Sequence, residues 1–170
     1  QPIDLADGQR IEDALIRLTD GRLQVFPIAF DVDRGNAFEP LREMIVAGFP
    51  VLGTCAGMIC LSNKISNSQQ SLLQPLAVMD INVKRNAFGR QVESFEADLK
   101  IAVLGKKAYH AVFIRAPLIE KVGTGVKVLA RLPKGEIVAA QEGNLLVSSF
   151  HPELTEDLRF HKYFLNLSGA

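Results

Sequence analysis

The sequence predicts an α/β fold, a three-layer domain whose central sheet mixes parallel and antiparallel strands. Its first part alternates helical and strand-like segments, which favours parallel strands covered by helices. From about residue 75, apolar and polar residues alternate as they do in antiparallel strands with one exposed face. The length of 170 residues and the hydrophobic content of 48% suit one soluble domain, which we expect to span residues 1–170.

The first elements follow from the spacing of apolar residues. Residues 10–18 repeat them at helical intervals and are predicted to form a helix. Residues 23–30 form an apolar, β-branched and aromatic run that is typical of a strand, and Pro27 indicates an edge strand or a bulge. Residues 36–47 again show helical spacing, and Gly48 is expected to end that helix.

The second part is predicted to consist of strands and one closing helix. The strands are expected at residues 76–86, 90–100, 111–117, 126–132, 136–143 and 144–150. Residues 141–144, with the sequence QEGN, are typical of a hairpin turn. Residues 152–167 have the pattern of an amphipathic helix. Its inward-facing residues are expected to be Leu158, Tyr163 or Phe164, and Leu167.

Charge and cysteine content argue against several classes of function. Basic and acidic residues both number 19, so the net charge is zero and neither a nucleic acid nor an anionic membrane is expected as a partner. No apolar run approaches the ~20 residues that span a bilayer. Cys55 and Cys60 are placed awkwardly for a disulfide and indicate a reducing cytoplasm. No histidine has a ligand-like spacing from them, so no metal is expected.

A candidate nucleophile lies between a predicted strand at residues 50–54 and a predicted helix at residues 56–63. It is Cys55, in the sequence GTCAG, whose small residues permit the strained turn that presents a nucleophile. There the helix N-terminus favours the thiolate, and the backbone N–H of Ala56 is a candidate donor to an oxyanion. The alternative is a buried cysteine beside a glycine that serves packing alone.

The candidate base is His151, which directly follows an apolar strand and precedes a proline. This placement points the imidazole toward the same sheet edge as Cys55. Glu153 lies two residues further on, where it can accept the second ring N–H and support the imidazolium. The alternative is a helix-capping glutamate beside an incidental histidine. The other histidines, His110 and His161, are expected to be structural.

Four ordered motifs resemble one protein family. They are GTCAGMICLS at 53–62, VKRNAFGRQVESF at 83–95, FIRAP at 113–117 and SFHPEL at 149–154. Together they resemble the glutaminase subunits of pyridoxal 5′-phosphate synthase, which belong to the class I, or triad, glutamine amidotransferases. The resemblance runs from about residue 35 to the end, and it implies a three-layer α/β/α, flavodoxin-like sandwich with a mixed central sheet.

The resemblance also implies a mechanism. Cys55 would attack the side-chain amide of L-glutamine to give a thioester and ammonia, with His151 as base and acid and Glu153 orienting it. The substrate-binding residues implied by the resemblance are Arg85, Ile114 and Arg115. The ammonia would pass to a barrel-shaped synthase subunit that makes pyridoxal 5′-phosphate, the active form of vitamin B6, so a hetero-oligomer is expected. No cofactor is expected in this subunit.

Residues 1–34 are atypical for the family, whose pattern includes LQG and PGGES motifs. The sequence contains no Gly-Gly pair, whereas the glycine turn of the family supplies a second N–H to the oxyanion. Truncation, divergence and loss of activity are each compatible with this difference. Two other functions therefore stay open: a non-catalytic binding or regulatory subunit, and another cysteine enzyme with the same kind of turn, such as a peptidase.

Overall fold

The structure, a computed structural model, describes residues 16–19, 22–25, 38–66, 75–85, 87–88 and 94–167. These residues contain eleven β-strands and three α-helices. The strands are β1 (Ile16–Thr19), β2 (Arg22–Val25), β3 (Val51–Thr54), β4 (Ser62–Ile65), β5 (Met79–Lys84), β6 (Ser94–Leu99), β7 (Tyr109–Ile114), β8 (Leu118–Val122), β9 (Lys127–Arg131), β10 (Ile137–Glu142) and β11 (Leu145–Ser148). The helices are α1 (Phe38–Val46), α2 (Ala56–Leu61) and α3 (Arg159–Leu167). None of these described helices has the length and apolar character needed to cross a membrane.

Nine of these strands form one mixed sheet in the order β1-β2-β3-β11-β10-β8-β5-β4, with β9 pairing with β10 outside this path. Strands β2, β3 and β11 are parallel neighbours, and β4 is parallel to β5 at the other end. The remaining pairs in this sheet are antiparallel. Strands β6 and β7 form a separate antiparallel pair. The predicted mixed sheet is thus confirmed.

The core has two hydrophobic clusters, one on each face of the main sheet. Alternate residues of β3 enter different clusters, because successive side chains of a strand point to opposite faces. Val51 packs in the cluster that contains Met58 of α2 and the apolar face of α1. Leu52 packs in the cluster that contains Phe113 of β7 and Phe160 of α3. The domain therefore has three layers, with α1 and α2 on one side of the sheet and the β6–β7 pair with α3 on the other.

Strand β3 and helix α2 approach each other closely at a glycine. A Cβ atom added to Gly53 would lie 2.8 Å from Cδ1 of Leu61 and 2.9 Å from the carbonyl carbon and oxygen of Gly57. The backbone of Gly57 cannot move away without shifting the start of α2. The first glycine of GTCAG is therefore needed for helix–strand packing as well as for the turn.

We expect Gly53→Ala to lower the free energy of unfolding by about 1–3 kcal/mol, since overpacking at this site has to displace backbone atoms. Urea denaturation measures the change. Gly125→Ala is the matched control, because a Cβ there meets only the carboxylate of Glu142, at 3.3 Å. An equal loss of stability in both variants would contradict the packing explanation.

Two predicted turns are confirmed by their backbone geometry. Helix α1 ends at Val46, and Gly48, two residues further on, stops it with φ +95° and donates its N–H to the carbonyl of Ile45 at 2.9 Å. Strands β10 and β11 form a hairpin in which Glu142 lies opposite Leu145. Gly143 in that turn has φ +54°, a conformation that glycine adopts without strain.

The helix predicted for residues 10–18 is wrong in its last residues, which belong to β1. In the sequence IRLT apolar and polar residues alternate, and antiparallel pairing with β2 outweighs the helical spacing. Residues 10–15 lie outside the described residues. Strand β2 confirms the first part of the strand predicted for residues 23–30, and the remainder with Pro27 lies outside the described residues.

The prediction contains neither β4 nor β8. The helix predicted for residues 56–63 ends at Leu61, because the hydroxyl of Ser62 donates to the carbonyl of Ile59 at 2.7 Å and the chain becomes extended. Strand β4 starts there and pairs with β5 at the edge of the sheet. Strand β8 lies between β10 and β5. It has charged residues at its exposed positions, and these interrupt the apolar and β-branched residues that predict a strand.

The closing helix is shorter than the predicted range of 152–167. A short 3-10 turn follows His151, and α3 starts only after Asp157, whose carboxylate accepts the backbone N–H of Arg159 at 3.1 Å. The inward placement predicted for Leu158 is wrong, since this residue precedes α3 and is 55% exposed. The residues of α3 that pack into the core are Phe160, Tyr163, Phe164 and Leu167.

Candidate active site

Cys55 lies at the turn between β3 and α2, as the GTCAG pattern predicts. Its backbone has φ 50° and ψ −106°, a conformation that is strained for a residue with a side chain. The N–H of Cys55 donates to the carbonyl of Ser148 at 2.7 Å, and its carbonyl accepts the N–H of Met58 at 3.1 Å. These bonds hold a sharp strand-to-helix turn at the carboxyl edge of the parallel strands.

His151 follows β11, the strand beside β3, so its backbone reaches the same sheet edge as Cys55. Its N–H donates to the carbonyl of Val112 in β7 at 2.8 Å. The ring Nδ1 lies 2.7 Å from Oε1 of Glu153, and the imidazole is mostly buried, at 12% exposure. This contact fixes the ring and leaves Nε2 as the nitrogen available to a reacting group.

The charge state of His151 links it to Cys55. Burial lowers its pKa, but hydrogen bonds to Cys55 and Glu153, together with the negative charges of these groups, raise it more, from 6.5 to about 9. At neutral pH the imidazole therefore holds a proton that it can deliver to a leaving group.

The FIRAP segment lies against the thiol. The Sγ atom of Cys55 donates to the carbonyl of Ile114 at 3.7 Å. Arg115 follows with φ +43°, so the chain turns sharply as it leaves β7, while the next residues are buried again. Both Ile114 and Arg115 have exposed side chains at this turn. The structure thus brings the predicted substrate-lining segment to the candidate nucleophile.

Arg85 directly follows β5 and is half-buried. At the end of β5, Lys84 lies opposite Leu118 of β8, which follows the FIRAP segment. In the loop after Arg85, the N–H of Ala87 donates to the carbonyl of Ala116 at 3.4 Å. The loop that carries the predicted carboxylate-binding arginine therefore adjoins the segment that contacts the thiol.

Ala56 is the first residue of α2, where backbone N–H groups have no partner within the helix. The carbonyl of Cys55 accepts the N–H groups of Met58 and Ile59, at 3.1 and 3.4 Å. The N–H of Ala56 remains as a candidate donor directly beside the thiol. It is the oxyanion donor that the sequence predicts.

The two other histidines have different surroundings. His110 lies on the exposed face of β7, with its ring nitrogens 3.0 Å from carboxylate oxygens of Asp98 and Glu96, and these hydrogen bonds raise its pKa. His161 in α3 is half-buried, and burial lowers its pKa, so the ring is neutral at pH 7. These surroundings agree with the structural roles expected for both.

Sequence reasoning missed two residues that hold the site. Val112 accepts the N–H of His151, and Ser148 accepts the N–H of Cys55. Neither contact has a sequence signal, because any residue supplies a backbone carbonyl. Only the hydroxyl of Ser148, at the end of an otherwise apolar strand, marks its position.

Known proteins resemble this chain over most of its length. The model of a family described as the SNO glutamine amidotransferase family matches residues 26–168. A relative from Dehalococcoides mccartyi, named pyridoxal 5′-phosphate synthase subunit PdxT, is 55% identical over 130 residues, which cover 76% of this chain and 66% of the relative. The protein of the same name from Pelotomaculum thermopropionicum is 58% identical over 130 residues, which cover 76% of this chain and 64% of that relative.

Two crystal structures extend the likeness to the fold. One, of a glutamine amidotransferase, matches with a TM-score of 0.70 and 47% identity, and covers 78% of this chain and 68% of that chain. Another, of a glutamine amidotransferase from Thermotoga maritima, matches with a TM-score of 0.50 and 13% identity over 85% of this chain and 60% of that one. This second match supports the fold alone. The predicted α/β class is confirmed.

The chain spans 66% of the length of the Dehalococcoides relative and 64% of the Pelotomaculum relative. The family match starts at residue 26, so it includes the end of the segment 1–34 that we expected to be atypical. All four motifs lie within the matched residues. The chain belongs to the SNO glutamine amidotransferase family.

Proposed function

We propose that this chain hydrolyses L-glutamine to glutamate and ammonia, with Cys55 as nucleophile, His151 as acid and base, and Glu153 as the orienting carboxylate. One observation carries the proposal: Cys55 and His151 follow the paired parallel strands β3 and β11, and Nδ1 of His151 lies 2.7 Å from Oε1 of Glu153. A strained cysteine at a strand end is the usual site of such a nucleophile. The family of the chain agrees with this chemistry.

The proposed reaction has two halves. The thiolate of Cys55 attacks the carboxamide carbon of glutamine, a C–S bond forms, and the N–H of Ala56 donates to the oxyanion. His151 gives its proton to the departing nitrogen, so the C–N bond breaks and ammonia leaves behind a thioester. His151 then takes a proton from water, which attacks the thioester to release glutamate and the thiol.

The substrate would lie between the thiol and the two segments that adjoin it. Arg85 can pair bidentately with the α-carboxylate of glutamine, because a guanidinium matches a carboxylate in both charge and shape. The backbone at Ile114 and Arg115 offers further polar groups beside Cys55. Selectivity for a free amino acid would follow from these polar contacts.

We further propose that the chain forms a hetero-oligomer with a barrel-shaped synthase subunit, and that the ammonia passes to this partner for the synthesis of pyridoxal 5′-phosphate. The support is the name of the relatives described above, pyridoxal 5′-phosphate synthase subunit. A single domain over residues 1–170 and a cytoplasmic location belong to the same proposal.

A second function has one specific observation in its favour. These 170 residues contain no Gly-Gly pair, so they offer no glycine turn of that kind as a second donor to the oxyanion. A subunit with this defect would bind the synthase without hydrolysing glutamine. A third candidate, a peptidase with the same turn, has no further support.

Ammonia release separates these functions. Wild-type protein is mixed with glutamine, with and without the synthase subunit, and ammonia is measured along with binding of the two subunits. Release of ammonia supports the proposal, whereas normal binding without ammonia release contradicts it and favours the non-catalytic subunit. Labelling of Cys55 by a diazo-ketone analogue of glutamine, but not by a peptide-like electrophile, would argue against the peptidase.

A further inference from the structure

Ser148, the last residue of β11, is bonded to both halves of the candidate site. Its side chain is completely buried. Its carbonyl accepts the N–H of Cys55 at 2.7 Å, and its hydroxyl donates to the carbonyl of Phe150 at 2.8 Å. Through these two bonds one residue connects the nucleophile turn with the segment that leads into the base.

The bond to Phe150 acts on the peptide that orients His151. The carbonyl of Phe150 and the N–H of His151 belong to the same peptide unit, which is planar and moves as one body. Its oxygen is held by the hydroxyl of Ser148, and its N–H is held by the carbonyl of Val112 at 2.8 Å. Rotation of this peptide, which would swing the imidazole, therefore breaks a hydrogen bond on each side.

We infer that Ser148 is a positioning residue that sets the imidazole of His151 against the thiol of Cys55. This inference rests on the proposed glutaminase function. Removal of the hydroxyl leaves the buried carbonyl of Phe150 without its donor, and a buried polar group without a partner is unfavourable. The peptide then turns to find another donor, and the alignment of base and nucleophile is lost.

The neighbouring serine provides a matched control. Ser149 is as completely buried as Ser148, and its hydroxyl lies 4.0 Å from the sulfur of Met58. Among the described residues, its hydroxyl therefore has no hydrogen bond to the turn at Cys55 or to the peptide before His151. Ser149→Ala removes the same group from the adjacent position and leaves both links intact.

The test compares Ser148→Ala, Ser148→Thr and Ser149→Ala in the complex with the synthase subunit. We expect Ser148→Ala to lower kcat for glutamine hydrolysis about 10- to 100-fold, as small misplacements of catalytic groups do. KM should stay within about twofold, because a residue that does not touch substrate leaves substrate binding unchanged. Ser148→Thr keeps a hydroxyl and should recover most of kcat, and Ser149→Ala should resemble wild type.

A second measurement needs no turnover. The rate of Cys55 alkylation by iodoacetamide is followed against pH by peptide mass spectrometry, with Cys60 as the unreactive internal reference, since burial raises its pKa to about 12. A well-placed imidazole activates the thiol toward the alkylating agent. We expect Ser148→Ala to slow the alkylation of Cys55 and change its profile, because a displaced imidazole no longer activates the thiol.

Each outcome decides the inference. Unchanged kcat and an unchanged alkylation profile in Ser148→Ala would overturn it, and so would an equal loss in Ser149→Ala. If the wild type released no ammonia but the profile still shifted in Ser148→Ala, the glutaminase function would fail while the positioning role stood. Where Ser148→Ala does not fold, Ser148→Val and Ser148→Thr, which differ only in the hydroxyl, replace it.

Discussion

Replacement of Cys55 by alanine is expected to lower glutamine hydrolysis in the synthase complex by about 10⁴-fold or more, because a methyl group cannot form the thioester. The backbone bonds of residue 55, to the carbonyl of Ser148 and from the N–H of Met58, do not involve the side chain and should persist. Folding and binding to the synthase are therefore expected to stay normal. Ammonia release at saturating glutamine measures the loss.

The chain contains a matched control for this substitution. Cys60 lies in α2 and packs partly buried against the core, and burial raises its pKa to about 12, so it is no nucleophile at neutral pH. Cys60→Ala should keep hydrolysis within about twofold of wild type. Residual ammonia release in Cys55→Ala near the wild-type rate, or an equal loss in Cys60→Ala, would show that Cys55 is not the nucleophile.

The nucleophile turn could be predicted from sequence because its requirements are local. A glycine is required at position 53 because β3 approaches the backbone of Gly57 there. Cys55 has the positive φ of a tight turn, and the small residues around it permit that turn. Both structural requirements concern the five consecutive residues GTCAG, so they can be recognised from sequence. The position of His151 was predictable for a related reason, since a residue that follows a parallel strand lies at the carboxyl edge of the sheet.

Other parts of the fold could not be predicted, because distant partners decide them. The sequence IRLT fits both the end of a helix and a short strand, and only pairing with β2 selects the strand. Leu158 fits the apolar face of a helix, but α3 starts only at Arg159, whose backbone N–H donates to the carboxylate of Asp157, so Leu158 lies outside the helix. The spacing of hydrophobic residues indicates which of them can share one face of a helix or strand, but it does not determine the residue at which that helix or strand begins.

The residues that hold the candidate site in place also could not be predicted from the sequence. Val112 and Ser148 hold His151 and Cys55 through backbone carbonyls that any residue would supply. Their contribution depends on the pairing of β3 with β11 and on the position of β7 over the sheet. Motifs identify the candidate reacting groups, whereas the sheet topology sets where their backbones lie relative to one another.

His151→Gln is expected to have the second large effect, a loss of about 10³-fold in kcat, because the amide of a glutamine side chain cannot act as an acid that protonates the departing nitrogen. The pH dependence follows from the pKa of His151, which rises from 6.5 to about 9. The imidazolium needed in the first half-reaction persists below about pH 9 and is lost above it. The stability that the raised pKa contributes has the same direction: it is fully present below pH 6.5 and disappears as the pH passes about 9.

Glu153→Gln tests the origin of this shift. Glutamine can still accept the Nδ1 proton but has no negative charge, so the pKa of His151 should fall and the alkaline limb of kcat/KM should move to lower pH. Glu156→Gln removes the same charge from an exposed position three residues further on and should leave that limb in place. If both variants gave the wild-type profile, the raised pKa of His151 would not depend on Glu153.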